Sequence, residues 1–314
     1  MLEKLQVLQV ETTNVCNANC SGFCRAKEQK TKGYMSDELF NKIVKEASEL
    51  PKLRAFIPLL NGEPFCDKKL VDRMRRVREA MPKVEIKIYT NGSFLTEDIL
   101  RELADIKGVF LTVSLNAYYK LTRAIEMGLD DFEHVVKMIQ TAFDYKIPLQ
   151  ATMVDVPSIT WDEKQRFKEQ GGILAECANW AGTDDYTRPE NALPCRRMLH
   201  HMPITYDGWV PVCCFDPCAV DTTREFTHMF YGNVEKDTIA DVWNSYKHNV
   251  DVNLHLHGEH NIIQLCNTCN HEVICDNENT IDDYHSAQIQ ELFNNEQTVH
   301  GNIKVAGGTK EETI

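Results

Sequence analysis

Over its first 180 residues the chain alternates short β-rich runs with amphipathic helical stretches, and this alternation restricts the fold more than any other feature. The runs occupy residues 5–11, 53–60, 84–89, 109–115, 149–154 and 173–180. Between them, apolar residues recur at the helical period: Leu39, Phe40, Ile43, Val44, Ala47 and Leu50 after a capping Ser36, then Leu70, Val71, Met74 and Val77. Thr96 opens a further helix, Phe132, Val135, Val136, Ile139 and Phe143 mark another, and Thr160 with Glu163 reads as a capping box. Strands separated by helices run parallel, so the expected α/β fold is either a doubly wound sheet or an open barrel. Both place ligands at the carboxyl ends of the strands. Cys16, Gly62-Glu63-Pro64, Thr90-Asn91-Gly92, Asn116, Asp155 and Asn179 all stand there.

After Trp180 the texture changes. The stretch AGTDDYTRPENALP is polar and rich in turn formers, so a boundary is expected within it. The chain is expected to divide into 1–182, 183–297 and a loose tail, 298–314. The second part should hold a hairpin at Asp207-Gly208, a helix over 238–248 and a solvated polar loop with His255, His257 and His260. The first residues lack the apolar core of a secretion signal, and no apolar run reaches the ~20 residues of a membrane span. A cytoplasmic location is expected. With a formal net charge of −13, nucleic acid and anionic membranes are poor partners. The basic run Lys68, Lys69, Arg73, Arg75, Arg76 and Arg78 reads as the solvated face of a helix.

Twelve cysteines in 314 residues are too dilute for a disulfide scaffold, and they are clumped. Cys16, Cys20 and Cys24 follow the first strand. Closely spaced thiolates suit an iron–sulfur cluster or zinc, and three of them leave one iron of a [4Fe–4S] cluster open. Zinc would need a fourth ligand, which no neighbouring His or Cys supplies at finger spacing.

The triplet, the aromatic Phe23 before its last Cys and the later Gly62-Glu63-Pro64 together resemble a radical S-adenosylmethionine (SAM) enzyme. The family spacing is CxxxCxxC, whereas this chain has CxxxCxxxC with Gly22 as the extra residue. The resemblance implies a partial (β/α)6 TIM-like barrel and a SAM-binding [4Fe–4S] cluster on Cys16, Cys20 and Cys24. It also implies a SAM cradle built from Asn61, Gly62, Glu63 and Pro64, from Thr90, Asn91 and Gly92, and from Ser114 and Asn116. Glu63 and its turn would hold the SAM amino group, and Ser114 with Asn116 would contact the ribose. A reducing partner such as flavodoxin or ferredoxin is implied as well.

Cys195, Gly208, Cys213 and the Cys266-x-x-Cys269 pair resemble the small auxiliary-cluster domains called SPASM and Twitch. By that likeness Cys195, Cys213, Cys266 and Cys269 hold one auxiliary [4Fe–4S] cluster, with tetrahedral zinc as the alternative by residue type. A second cluster would need Cys275 with Cys214 or Cys218, and position 279, where the full pattern continues with Cys, is Asn. The shorter one-cluster arrangement is therefore expected, as in an amino-cyclitol dehydrogenase of the family. Cys66 and Cys177 read as ordinary core or strand-end residues.

The reaction implied is generation of a 5′-deoxyadenosyl radical and hydrogen abstraction from a small-molecule or peptide substrate, most simply a dehydrogenation. Asp216 is the candidate base, since sulfatase-maturing members carry an Asp near the equivalent ligand. Asp155, Glu176, Asn179 and Trp180 end strands and would line the substrate pocket. Two alternatives remain: a peptide-modifying maturase, and a non-catalytic iron–sulfur or zinc-binding protein.

Overall fold

The computed structural model describes residues 2–21, 24, 31–177, 195–215, 230–267 and 269. The barrel half runs β1 (Val7–Val10), α1 (Asp37–Ala47), β2 (Ala55–Ile57), α2 (Leu70–Ala80), β3 (Glu85–Thr90), α3 (Glu97–Ala104), β4 (Val109–Ser114), α4 (Lys120–Met127), α5 (Phe132–Asp144), β5 (Leu149–Val154), α6 (Trp161–Glu169) and β6 (Ile173–Ala175). Ser36, Thr96 and Thr160 each cap a helix by accepting a backbone N–H, as their positions predict.

Strand order distinguishes the two architectures left open by the sequence. Over its first six strands the parallel sheet runs β6-β5-β4-β3-β2-β1, each strand beside its neighbour in sequence, with no reversal point among them. A doubly wound sheet requires such a reversal. Right-handed crossovers that all advance the same way put every helix on one face. Leu8, Phe56, Ile86, Leu111 and Met153 pack on that face against Phe40, Met74, Leu100, Val135 and Phe167. The alternating residues Gln9, Lys87, Tyr89, Thr112 and Gln150 fall on the opposite face. A sheet covered by helices on one side and polar on the other is the wall of an open barrel.

Beyond the six strands comes a seventh. Following α7 (Arg196–His200), β7 (His201–Ile204) adds in parallel to the free edge of β1, pairing Val7 with His201 and Val10 with Ile204. The turn at Asp207-Gly208 then reverses the chain into β8 (Trp209–Pro211), which pairs antiparallel with β9 (Phe230–Asn233). The expected hairpin turn is present, but its two arms belong to different sheets.

Several local expectations are corrected. The helix expected over 238–248 is two: α8 (Ile239–Trp243) and α9 (Tyr246–Leu256), broken where the Ser245 hydroxyl accepts the His248 N–H as a new N-cap. Thr160 does cap α6, yet Glu163 does not close a capping box. Its carboxylate turns to the Tyr118 and Tyr119 amides and the Thr122 hydroxyl, at 2.8, 3.1 and 2.9 Å. The basic run is a solvated face only in part: Lys68, Lys69, Arg75 and Arg76 lie on the surface, but Arg73 and Arg78 turn inward. Arg73 is buried over the Phe40 ring, bonded to the Met35 carbonyl and paired with Asp37 and Asp67. Arg78 binds the carbonyls of Met81, Pro82 and Val84. No helix among the described residues is long and apolar enough to cross a membrane.

Candidate active site

The site begins where β1 ends. Glu11, fully buried, accepts the Asn61 amide through Oε1 at 2.9 Å, the Asn61 side chain at 3.1 Å and the Tyr206 amide through Oε2 at 3.0 Å. One carboxylate thus joins the ends of β1 and β2 to the turn after β7. Burial outweighs those bonds and raises its pKa to about 7.

The cysteine loop leaves β1 through Thr12–Val15 and is clamped on two sides. The returning segment bonds it through Asn14 to Thr31 and Gly33, and through Thr13 to Gly33. At its far end the C-terminus of α4 grips it: Asn19 N–H donates to the Met127 carbonyl and Ser21 N–H to the Glu126 carbonyl, while the Ser21 hydroxyl donates to the Glu126 carboxylate at 2.6 Å. Gly128 ends α4 in the left-handed region at φ 66°, and a Cβ there would crowd Asn19.

Held this way, Cys16 and Cys20 have raised pKa values, each through its neighbours in the triplet as well as through burial. Burial, aided by the nearby Glu63, Cys24 and Cys66 charges, pushes Cys16 up to about 12; the hydrogen bond to Cys24, with burial, drives Cys20 higher still. Closely spaced thiols, two of them with raised pKa values, need a cationic centre to become thiolates together. That donor set fits an iron–sulfur cluster. Among the described residues, no three His, Cys, Asp or Glu side chains gather as ligands of a single metal ion. Cys66 closes the Pro64–Cys66 turn beside the triplet rather than in the core, its thiol pushed up to about 11 by burial and by Glu63.

The cradle residues after β2, β3 and β4 are fastened to one another. Gly62 takes φ 86°, and its Cβ would lie 2.7 Å from the Asn14 carbonyl carbon, so the turn presses directly on the cysteine loop. Glu63 N–H donates to the Val15 carbonyl at 2.8 Å. The buried Glu63 carboxylate accepts the Thr90 hydroxyl and the Asn91 amide, both at 2.7 Å, and the Phe65 amide at 3.1 Å. Burial still lifts its pKa to about 7. The Asn91 side chain donates to Asn17 at 2.8 Å, tying the turn after β3 to the cysteine loop. Asn116, at φ 52°, accepts the Val154 amide and contacts Met127 Sδ, so its side chain stitches β4 to β5. Ser114 is half-buried at the end of β4.

Arg123 carries no motif in the sequence. It is fully buried, donates to Asp131 at 2.6 Å, to the carbonyls of Ser114 and Leu115, and to the Asn91 carbonyl at 2.8 Å. Its charge favours the ionised forms of Cys20 and Glu63. No local motif announces it, because Asp131 follows eight residues later across the break between α4 and α5.

The second cysteine group forms around α7. Cys195 precedes that helix, and Cys266 lies in α10 (Gln264–Asn267). Cys195, Cys266 and Cys269 share one apolar cluster with Met198, Leu199, Val212 and Val252. The charges of Cys213, Cys214 and Cys195 all act on Arg197. The Cys213 thiol and the Arg197 guanidinium, 3.1 Å away, hydrogen-bond to Cys214 and hold its pKa down to about 6. Cys214 packs on Leu60, the residue before Asn61, and Cys213 packs against that pair. His255 and His260 are not in a solvated loop; both are wholly buried, and His255 touches this group. Asp155 pairs with Lys164 at 2.6 Å, and Glu176 and Cys177 are exposed. Asp216, Cys218, Cys275, Asn179, Trp180, Gly22, Phe23 and the tail lie outside the described residues.

A buried thiol triplet at the end of β1, fastened to three polar turns at successive strand ends, agrees with a match to the radical SAM superfamily model over residues 10–170, just over half of the chain. The chain belongs to the radical SAM superfamily. Residues 195–270 match the SPASM iron–sulfur cluster-binding domain. This pair of domains implies S-adenosylmethionine, a SAM-binding [4Fe–4S] cluster and auxiliary iron–sulfur chemistry as cofactors. The tungsten-containing aldehyde ferredoxin oxidoreductase cofactor-modifying protein of Pyrococcus furiosus is 30% identical over 124 residues, covering 40% of this chain and 34% of that protein. The chain thus spans about a third of that relative's length. The S-adenosyl-L-methionine-dependent 2-deoxy-scyllo-inosamine dehydrogenase of Niallia circulans is 24% identical over 275 residues, 86% of this chain and 94% of that protein. In structure, the chain is similar to BtrN in complex with AdoMet and 2-DOIA (TM-score 0.62, 21% identity, 88% of this chain and 97% of that one). It is also similar to SuiB of Streptococcus suis bound to the precursor peptide SuiA (TM-score 0.63, 14% identity, 82% and 67%). These likenesses carry the fold.

Proposed function

We propose that this radical SAM enzyme is an oxidoreductase that dehydrogenates an alcohol-bearing small molecule, with one auxiliary cluster as the acceptor of the second electron. In this reading Cys16, Cys20 and Cys24 hold the SAM-binding cluster, and Cys195, Cys213, Cys266 and Cys269 hold the auxiliary one. The observation that carries it is the packing of Cys214 on Leu60, with the neighbouring Cys213 against that pair. Through that contact the second thiol group abuts the residue that leads into the Asn61-Gly62-Glu63 turn, which supports a substrate held between the two groups. When bound, SAM and the clusters supply an electron that splits SAM to methionine and a 5′-deoxyadenosyl radical, the hydrogen abstraction itself, and a sink for the substrate's second electron.

The protein's own part is placement. Glu63, Thr90 and Asn91 lock the two turns against which SAM would lie, and the N–H and C=O groups those bonds leave over would receive its amino and carboxylate groups. Ser114 would meet the ribose. Tyr89, Thr112 and Gln150 give the barrel face hydrogen-bonding groups suited to a polyhydroxylated substrate. Asp216 is the proposed base for the hydroxyl proton, and a flavodoxin- or ferredoxin-type protein the proposed reductant. The likeness to the 2-deoxy-scyllo-inosamine dehydrogenase along nearly its whole length supports an alcohol oxidation.

A peptide-modifying reading draws on the likeness to SuiB with its bound peptide. One experiment separates the two. Anaerobic turnover with amino-cyclitols or other polyols deuterated at the carbinol carbon should move deuterium into 5′-deoxyadenosine and yield a ketone. Deuterium arriving only from peptide substrates would favour the second reading.

A further inference from the structure

His255 stands in the last turn of α9 with its side chain wholly excluded from solvent. Its Nδ1 lies 3.3 Å from the backbone nitrogen of Cys195, which donates to it. Its Nε2 lies 3.2 Å from the Cys266 sulfur. The His260 ring stacks alongside, centroids 6.0 Å apart at 28°. One imidazole therefore bridges two cysteines separated by 71 positions in the chain.

The first of these bonds fixes the chemistry of the second. A backbone N–H can only donate, so Nδ1 must present its lone pair. A neutral imidazole with a lone pair on Nδ1 carries its proton on Nε2. The N–H thus points at Cys266 Sγ. Both ring nitrogens are engaged by protein atoms, so His255 is placed to support a ligand rather than to be one.

We propose that His255 is a positioning residue of the auxiliary site: its Nε2–H donates to the Cys266 thiolate and makes the cluster held there easier to reduce. This rests on the reading of Cys266 as a cluster ligand. Reduction adds negative charge, which spreads onto the coordinating sulfurs, and a donor aimed at one of them stabilises the reduced form more than the oxidised one. Burial strengthens that preference because no water competes for the sulfur. The same bridge sets the spacing of Cys195 and Cys266, which enter the site from α7 and α10. An acceptor for a substrate's second electron requires a potential above that of the substrate radical, and the hydrogen bond moves the site in that direction.

The test uses the full-length chain with Cys16, Cys20 and Cys24 replaced by Ala, so that only the auxiliary cluster is loaded, and follows its midpoint potential by redox titration with EPR detection. His255→Leu and His255→Phe remove the donor; the latter keeps a ring against His260. His255→Gln keeps an N–H. The expected result is about four irons per chain in each, a midpoint lower than that of the His255 protein in the Leu and Phe variants, and recovery towards it in the Gln variant. Equal midpoints for the His255, Leu and Phe proteins would overturn the inference, as would loss of the cluster from a folded Gln variant, which would make His255 a ligand. Cys266→Ala in the same background distinguishes the underlying reading: full iron retention there overturns the ligand assignment itself.

Discussion

The Glu63 carboxylate accepts the Thr90 hydroxyl at 2.7 Å, so the turn that ends β2 and the turn that ends β3 move as one body. The Asn91 amide adds a second bond to the same carboxylate, and Gly62 beside it lies against Asn14. The SAM cradle is thereby built as a continuous polar seam on the cysteine loop. Thr90→Val keeps the volume and removes one donor from a buried carboxylate. A loss of about 1–3 kcal/mol is expected, with weaker SAM binding, measured by denaturant unfolding and by equilibrium binding of SAM to the reconstituted enzyme.

Gly62→Ala attacks the same seam from the backbone. The residue sits at φ 86°, and the added carbon would meet the Asn14 carbonyl carbon at 2.7 Å. Left-handed backbone alone costs a non-glycine residue roughly 1–2 kcal/mol, and here the clash falls on the cysteine loop. The expected outcome is reduced iron at the SAM-binding site with the auxiliary cluster intact, read by iron analysis beside the triple Cys16, Cys20 and Cys24 variant.

Arg123→Met tests the buried cation that no motif revealed. The change deprives Asp131 of its partner and leaves the Asn91, Ser114 and Leu115 carbonyls short of a donor. Breaking a buried pair from one side costs on the order of 3–5 kcal/mol. Because Arg123 also offsets charge at Cys20, the variant should hold its SAM-binding cluster less well. Thermal unfolding and the EPR signal of that cluster provide the readout.

Glu11 gives the protein a pH signature. Its pKa is about 7 in the folded protein against an ordinary value of 4.5, with burial as the cause. Between those values the folded state holds a proton that the unfolded state has released, so this contribution is full below about 4.5 and is lost as pH rises to about 7. The span corresponds to about 3 kcal/mol. Glu11→Gln should flatten the decline in stability between pH 5 and 7 relative to the parent, compared by urea titration at several pH values.

What the sequence made legible follows from range. Strand alternation, the caps at Ser36, Thr96 and Thr160, and the turns at Gly62, Asn91 and Gly208 are local, and each is present in the fold. The edge strand β7 was hidden because its partner β1 lies almost 200 residues away and parallel pairing leaves no local pattern. The partners of Glu163 and Arg123 are not legible locally because burial, not spacing, selects them. In sequence His255 is one polar residue among many, and only the approach of Cys195 and Cys266 in space gives it a task. The split between α8 and α9 did have a signal, Ser245, a good N-cap set within an otherwise helical run.

The central claim is that the first cysteine triplet supports SAM cleavage while the second group holds its own cluster. Anaerobic reconstitution followed by iron and 5′-deoxyadenosine analysis tests it most directly. The expected result is about eight irons per chain, reductant-dependent release of 5′-deoxyadenosine, and a Cys16, Cys20 and Cys24 triple Ala variant that keeps about half the iron and releases none of the nucleoside. Zinc in place of iron, or full 5′-deoxyadenosine release from the triple variant, would contradict the account.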